Sequence, residues 1–480
     1  MQFNSYIFIL AFLPLFAAAW FLLGRLHVRV AKLLIIAGGV VFYLYGGIAL
    51  SAVLGASILL NWLFVLLLRK KKGGRIALIV PVLLNVGLLL YYKYSGFAVR
   101  TVNGLFGQAF AEPQLALPLG ISFFTFQQIM YLVYARDHGD EATFLDYLCC
   151  TLYFPRLIMG PLQEPAEFIS QLNDPGTRRI NWDNMAWGLK VFSLGLFKKM
   201  LLADTFAKGV AWGFSHLDAV TAGDLFLVML FYTFEIYFDF SGYSDMATGI
   251  SSMLNISLPI NFDSPYKALS IRDFWKRWHM SLTGFLTRYV YYPLGGSRKG
   301  AVRTYLNIML VFLVSGIWHG ADWTFILWGV CHGLLQVSER LLGKRLDKLH
   351  EAVRWMVTFL LINLLWLLFR AESVTQWTDM LYRMFTFGDM QISAGLLNCF
   401  ALPETAFLND HLFLTGVNAA VRGFPMLMFI VLSFAICLVP QNNYKNREKP
   451  GFFTLLYSAA AFVWAFLCLS SESVFVYFNF

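Results

Sequence analysis

Residues 33–68 read LLIIAGGVVFYLYGGIALSAVLGASILLNWLFVLLL, and Arg69-Lys70-Lys71-Lys72-Gly73-Gly74-Arg75 follows at once. The apolar run is far longer than the roughly 20 residues one helix needs to cross a bilayer core of about 30 Å. Gly46-Gly47 and Gly55 allow a reversal within it, so two helices are expected. The basic run that ends it belongs on the cytoplasmic side, where membrane proteins concentrate Lys and Arg.

The same character extends outward through the chain. Of 480 residues, 58% are hydrophobic and only 14% charged, which excludes an ordinary soluble domain. The expected fold is an all-α, polytopic integral membrane protein. It should have about eleven transmembrane helices plus shorter re-entrant and interfacial pieces, and form one membrane domain over residues 1–480. The net charge of +9 is spread over short clusters between apolar runs, as in cytoplasmic loops; membrane lipids surround such a chain, and nucleic acid is excluded as a partner. The six cysteines show no CxxC spacing and read as packed thiols, and no metal site is assigned.

Tyr6 to Leu23 reads as a first span with the N-terminus outside. No basic segment precedes it, unlike a cleaved signal peptide. A span from Ile76 to about Tyr92 leads outside, and Leu117-Pro118-Leu119-Gly120 opens another apolar run. Phe154-Pro155-Arg156 and Met159-Gly160-Pro161 interrupt a greasy stretch. Broken backbone at membrane depth is tolerated only inside protein or beside water, so these residues should line an internal cavity. Asn181 to Phe206 reads as a helix whose Lys190, Lys198 and Lys199 reach the cytoplasmic interface. Asp239, Ser241 and Asp245 then fall within an apolar run, and the cations nearest in sequence for the two carboxylates are Arg272, Lys276 and Arg277. Glu372 to about Gly423, with Glu404 and Asp410, reads as the longest outer segment. After the basic Lys445-Asn446-Arg447-Glu448-Lys449 loop, the last span leaves the C-terminus outside.

Chemistry concentrates in Arg272-Asp273-Phe274-Trp275-Lys276-Arg277-Trp278-His279-Met280-Ser281 and Ser315-Gly316-Ile317-Trp318-His319-Gly320-Ala321-Asp322. A lone intramembrane histidine is often just a hydrogen-bonded core residue. Around His319, however, Gly316 and Gly320 admit a substrate or a neighbouring backbone, and Trp318 offers a flat wall. Asp322 is close enough to orient the ring if the chain turns there. Imidazole is the usual base for deprotonating a hydroxyl, and no GxSxG elbow supplies a serine nucleophile. His279, between Trp278 and a basic flank, suits an interfacial anchor as well as a functional role; Lys276 and Arg277 suit an anionic, phosphate-bearing thioester. His332 reads as structural. Gly295 to Gly300 lacks the spacing of a phosphate loop, and His138 among acidic residues reads as a solvated loop.

The blocks Leu117 to Phe124, Tyr237 to Gly249, Asp273 to Ser281, Leu294 to Lys299 and Gly316 to Ala321, in this order, resemble the membrane-bound O-acyltransferase family. The likeness is greatest to the membrane subunits of bacterial alginate-type polysaccharide O-acetyltransferases, with teichoic acid D-alanyltransferase subunits related. It runs from Phe3-Asn4-Ser5-Tyr6 to Tyr477-Phe478-Asn479-Phe480, and the Asp273 to His279 and Trp318-His319-Gly320 blocks are specific only as a set.

The resemblance implies helices ringed around a thinned centre, His319 as the family's intramembrane histidine and His279 as its second, cytoplasm-side polar position. It also implies a donor thioester, acetyl-CoA or another acyl thioester, arriving from inside with no permanently bound cofactor. An acyl carrier protein is the donor in the D-alanyl branch. Outside, an SGNH-type partner passes the acyl group to a polysaccharide acceptor, and the protein sits in the bacterial inner membrane. Catalysis is assigned to His319 and His279, and substrate contact to Trp318, Trp275, Lys276, Arg277, Trp278, Asp239, Ser241, Asp245 and Asp322. Ser315 and the backbone at Gly316 and Gly320 are candidate oxyanion donors. The competing readings are D-alanyl transfer, a transporter, and a non-catalytic scaffold of a polysaccharide complex.

Overall fold

The computed structural model describes residues 1–70, 76–386, 388–401, 423–440, 442, 444, 451–470 and 475. Lys71 to Arg75, Glu404, Asp410 and the Lys445–Lys449 loop lie outside the described residues.

The first helices are α1 (Leu13–Leu22), α2 (Val28–Leu44), α3 (Ile48–Arg69), α4 (Ile76–Phe106) and α5 (Ile121–His138). The 33–68 run is thus two helices, reversing at Gly47, whose φ of 128° suits a residue without Cβ. Short helices follow: α6 (Phe144–Leu152), α7 (Phe154–Leu157) and α8 (Pro165–Asn173). The long central pair comprises α9 (Trp182–Phe197), continued through a π-helical turn at Lys198–Ala203 into α10 (Asp204–Ser215), and α11 (Ala222–Met253). Then come α12 (Ile271–Arg277), α13 (Met280–Leu286), α14 (Ala301–His319), α15 (Trp323–Leu346) and α16 (Glu351–Arg370). The last described helices are α17 (Val374–Phe385), α18 (Ala394–Asn398), α19 (Phe424–Leu438) and α20 (Phe452–Leu467).

No strand occurs among the described residues, so the all-α expectation holds. Five described helices have the length and apolarity of a crossing, against the roughly eleven expected. Three shorter apolar helices, Phe8–Leu22, Phe424–Leu438 and Phe452–Leu467, add to these.

Helix α11 is buried along most of its length and forms the axis of the fold. It approaches α9 very closely. A Cβ on Gly188 would lie 2.5 Å from the carbonyl oxygen of Gly249, and one on Gly195 would lie 2.6 Å from that of Gly242. Small residues at such crossings let backbones touch where lipid offers no hydrophobic drive between helices. This contact corrects the expectation for the lysines. Lys199 is buried, not interfacial, with Nζ 2.7 Å from Asp239 and 2.9 Å from Asp204, and Lys198 Nζ is 2.7 Å from Asp245. Asp239 and Asp245 therefore find their cations on the neighbouring helix, not at Arg272, Lys276 or Arg277. The hydroxyl of Tyr444 also donates to Asp245 at 2.7 Å.

On the other side a buried amide network ties α3, α4 and α5 together. Asn61 Nδ2 donates to Gln128 Oε1 at 2.8 Å, and Asn85 Nδ2 donates to Asn61 Oδ1 at 2.6 Å. In a low-dielectric interior each of these amides needs such a partner. The network sets α4 against α5, the two helices that carry one wall of the site below.

Candidate active site

Helix α14 ends at His319, and its last carbonyls have no partner within the helix. Two residues of α4 satisfy them. Lys93 Nζ donates to the carbonyls of Trp318 and His319, each at 2.7 Å, while the Tyr94 hydroxyl contacts the Ile317 carbonyl and donates to that of Gly320 at 2.7 Å. A cation at a helix C-terminus also meets the negative end of the helix dipole. Neither Lys93 nor Tyr94 is marked by the sequence, because they sit far from the histidine blocks and just past the expected end of the Ile76 to Tyr92 span, whereas α4 runs on to Phe106.

His319 is 3% exposed, and its ring lies 4.8 Å from Trp318, 5.2 Å from Trp328 and 5.4 Å from Phe369, centroid to centroid. It lines a cavity of about 80 Å³ with Lys93, the segment from Leu117 to Phe123, Ile158, Met159 and Trp318. Of the broken backbone at Phe154-Pro155-Arg156 and Met159-Gly160-Pro161, Met159 lines this cavity together with Ile158, whereas the other five residues do not. Arg156 itself is buried beneath it, donating to the Cys150 carbonyl at 2.9 Å and lying 4.0 Å over the Phe168 ring.

The two site glycines serve neighbouring backbone. A Cβ on Gly316 would stand 2.4 Å from the Phe325 carbonyl oxygen, and one on Gly320 would strike the Phe325 ring at 2.1 Å, so both allow α14 to close on α15. Asp322 does not orient His319. Its Oδ1 accepts the Trp323 N–H at 2.6 Å as the N-cap of α15, and its Oδ2 lies 4.0 Å from Arg100.

His279 is fully buried, which overturns the interfacial-anchor reading. It precedes α13 with φ 45°, a left-handed conformation unusual for a residue other than glycine. Asn261 holds the turn: its carbonyl accepts the Met280 N–H at 3.0 Å and its Oδ1 the Ser281 N–H at 3.2 Å. Among the described residues neither ring nitrogen of His279 has a hydrogen-bond partner. The ring lies 4.7 Å from Phe240 and 6.1 Å from Trp318, so Trp318 touches both histidines. Trp318 is in turn fixed by stacking on Phe126 at 5.3 Å.

The other candidates stand apart from this pair. Trp275 donates its indole N–H to His332 Nδ1 at 3.1 Å, consistent with a structural His332. Trp278 is core, 4.8 Å from Trp366. Arg277 pairs with Asp273 at 2.9 Å, and Lys276 is exposed. Ser241 is buried in α11, where its Oγ has no partner among the described residues. Sequence reasoning therefore located the histidines and Trp318. It missed Lys93, Tyr94 and Asn261, which no local motif marks.

The membrane-bound O-acyltransferase family matches residues 83–373. A peptidoglycan O-acetyltransferase of Helicobacter pylori is 36% identical over 100% of this chain and 98% of its own length. A "probable alginate O-acetylase" of Pseudomonas putida is 36% identical over 82% of each chain. A teichoic acid D-alanyltransferase of Streptococcus thermophilus is 29% identical over 47% of this chain and 58% of its own. Relatives at this identity and coverage, with the family match over the site, decide for an enzyme against a transporter or scaffold. The chain is a multi-pass membrane protein that belongs to the membrane-bound O-acyltransferase family and is an acyltransferase.

Proposed function

We propose that this protein moves an acyl group, acetyl, from a cytoplasmic thioester to a hydroxyl on the outer side of the bacterial inner membrane, with both termini outside. The observation that carries this reading is the buried pair His279 and His319, joined through the Trp318 ring beside a cavity. His319 takes the proton from the acceptor hydroxyl, which then attacks the thioester carbonyl, and the same imidazole returns the proton to the departing sulfur. His279 stands on the donor side, its ring nitrogens without partners among the described residues and ready to bond to the thioester. The donor is acetyl-CoA or another small acyl thioester, and the acceptor is an SGNH-type partner that hands the acyl group to a polysaccharide or cell-wall polymer. Two relatives that cover most of the chain bear O-acetylating names, which supports acetyl over D-alanyl.

The test is transfer of label from radiolabelled acetyl-CoA to a hydroxyl acceptor by purified protein in vesicles, alongside His319→Ala. Transfer by the variant equal to that of the parent would remove His319 from the chemistry. Transfer from a D-alanyl carrier but not from acetyl-CoA would assign the second branch.

A further inference from the structure

Lys93 is a cation in a membrane helix, and its placement exceeds what capping requires. Its ammonium crosses from α4 to the end of α14 and donates to the carbonyls of Trp318 and His319, each at 2.7 Å. The adjacent Tyr94 hydroxyl donates to the Gly320 carbonyl at 2.7 Å with no charge at all. An intramembrane lysine is costly enough that a neutral donor would be the cheaper cap. An ammonium has three N–H groups; two are used here, Nζ has no other hydrogen-bond partner among the described residues, and Lys93 lines the cavity of His319.

We propose that Lys93 directs its remaining N–H at the carbonyl oxygen of the acyl group during transfer, which makes it the oxyanion donor of the site. This rests on the acyl-transfer reading above. The acceptor oxygen loses its proton to His319 and forms a bond to the thioester carbonyl carbon, while the carbonyl π pair moves onto oxygen. Lys93 binds that oxygen as it becomes negative. The pair returns to re-form C=O, the C–S bond breaks, and sulfur leaves with the bonding pair and takes the proton from His319. Two carbonyls and the negative end of a helix hold Nζ in place beforehand, so the charge need not reorganise as the reaction proceeds. The two glycine candidates are engaged elsewhere: Gly316 and Gly320 close α14 on α15, and the Gly320 N–H is bonded to the Gly316 carbonyl at 3.3 Å. Ser315, the third candidate, is buried in α14 but does not line the cavity.

The experiment compares parent, Lys93→Met, Lys93→Gln and Tyr94→Phe for kcat, for KM of the thioester and for melting temperature. Lys93→Met should lower kcat about 100-fold with little change in KM, the typical loss for a single oxyanion donor. Lys93→Gln keeps neutral donors for the helix carbonyls, so it should melt near the parent yet remain at least about tenfold slow. Tyr94→Phe, which removes a cap from the same helix end, should lower the melting temperature more than kcat. Parental kcat in Lys93→Gln, or equal losses of kcat in Lys93→Met and Tyr94→Phe that track melting temperature, overturns the assignment and leaves a helix cap. A parent that transfers no acyl group from any thioester sinks the function reading, and the role of Lys93 with it.

Discussion

Lys199 places its ammonium 2.7 Å from the carboxylate of Asp239, and both side chains are almost wholly buried, at 2% and 1% exposure. The pair joins the π-helical turn after α9 to the middle of α11, and Phe475 covers it with its ring 4.5 Å from Nζ. Breaking a buried pair leaves an unpaired charge, whereas removing both ions often costs little. Because Lys199 also lies 2.9 Å from Asp204, Lys199→Met is expected to destabilise the protein by about 3–5 kcal/mol, and Lys199→Met with Asp239→Leu and Asp204→Asn, which strands neither carboxylate, by distinctly less. Thermal unfolding in detergent measures this; a triple variant no better than the single one would contradict it.

The α9–α11 crossing makes a second prediction. A Cβ at Gly195 would sit 2.6 Å from a backbone oxygen, and backbone cannot yield as a flexible side chain can. Gly195→Ala should cost about 1–3 kcal/mol by overpacking, and Gly195→Leu should prevent recovery of folded protein. Monodispersity on size exclusion, together with the melting temperature, reports the outcome. A well-folded leucine variant would show that the helices can part.

For the histidines, His279→Phe keeps an aromatic of similar size among Phe240 and Trp318 while deleting both ring nitrogens. Its expected result is near-parental melting with transfer reduced by about 100-fold, a loss in the range of one removed hydrogen bond to the reacting group. A phenylalanine variant with parental kcat would place His279 among the packing residues.

Asp322 is expected to behave as a cap. Asp322→Asn retains an acceptor for the Trp323 N–H and should leave transfer within about threefold of the parent, while Asp322→Ala should cost about 1 kcal/mol of stability. Steady-state transfer rates for the two decide it. A hundredfold loss in the asparagine variant would restore a role in orienting His319.

Asn261 shows why part of the site was hidden from sequence. It lies in an ordinary-looking loop, yet its backbone and side chain together hold the left-handed turn at His279. His279 was readable as a functional candidate because Trp278 and the basic flank surround it, but those same neighbours suggested a solvated interface. Only the packing of Phe240 and Trp318 against the ring excludes that. His319 was legible because glycine, tryptophan and histidine together are rare in a greasy chain, although its glycines turned out to face α15.

The sequence alone determined the membrane class, through apolar runs too long for anything else, and the acyltransferase family, through ordered blocks around His279 and His319. Tertiary structure alone decided the ionic and hydrogen-bond partners. Lys199 meets Asp239, Lys198 meets Asp245, and Lys93 reaches the end of α14 from another helix. The physical reason is that, in lipid, polar groups must satisfy one another across helix contacts. Which faces meet depends on close approaches such as Gly195 to Gly242, and no periodicity within a single helix encodes its partner.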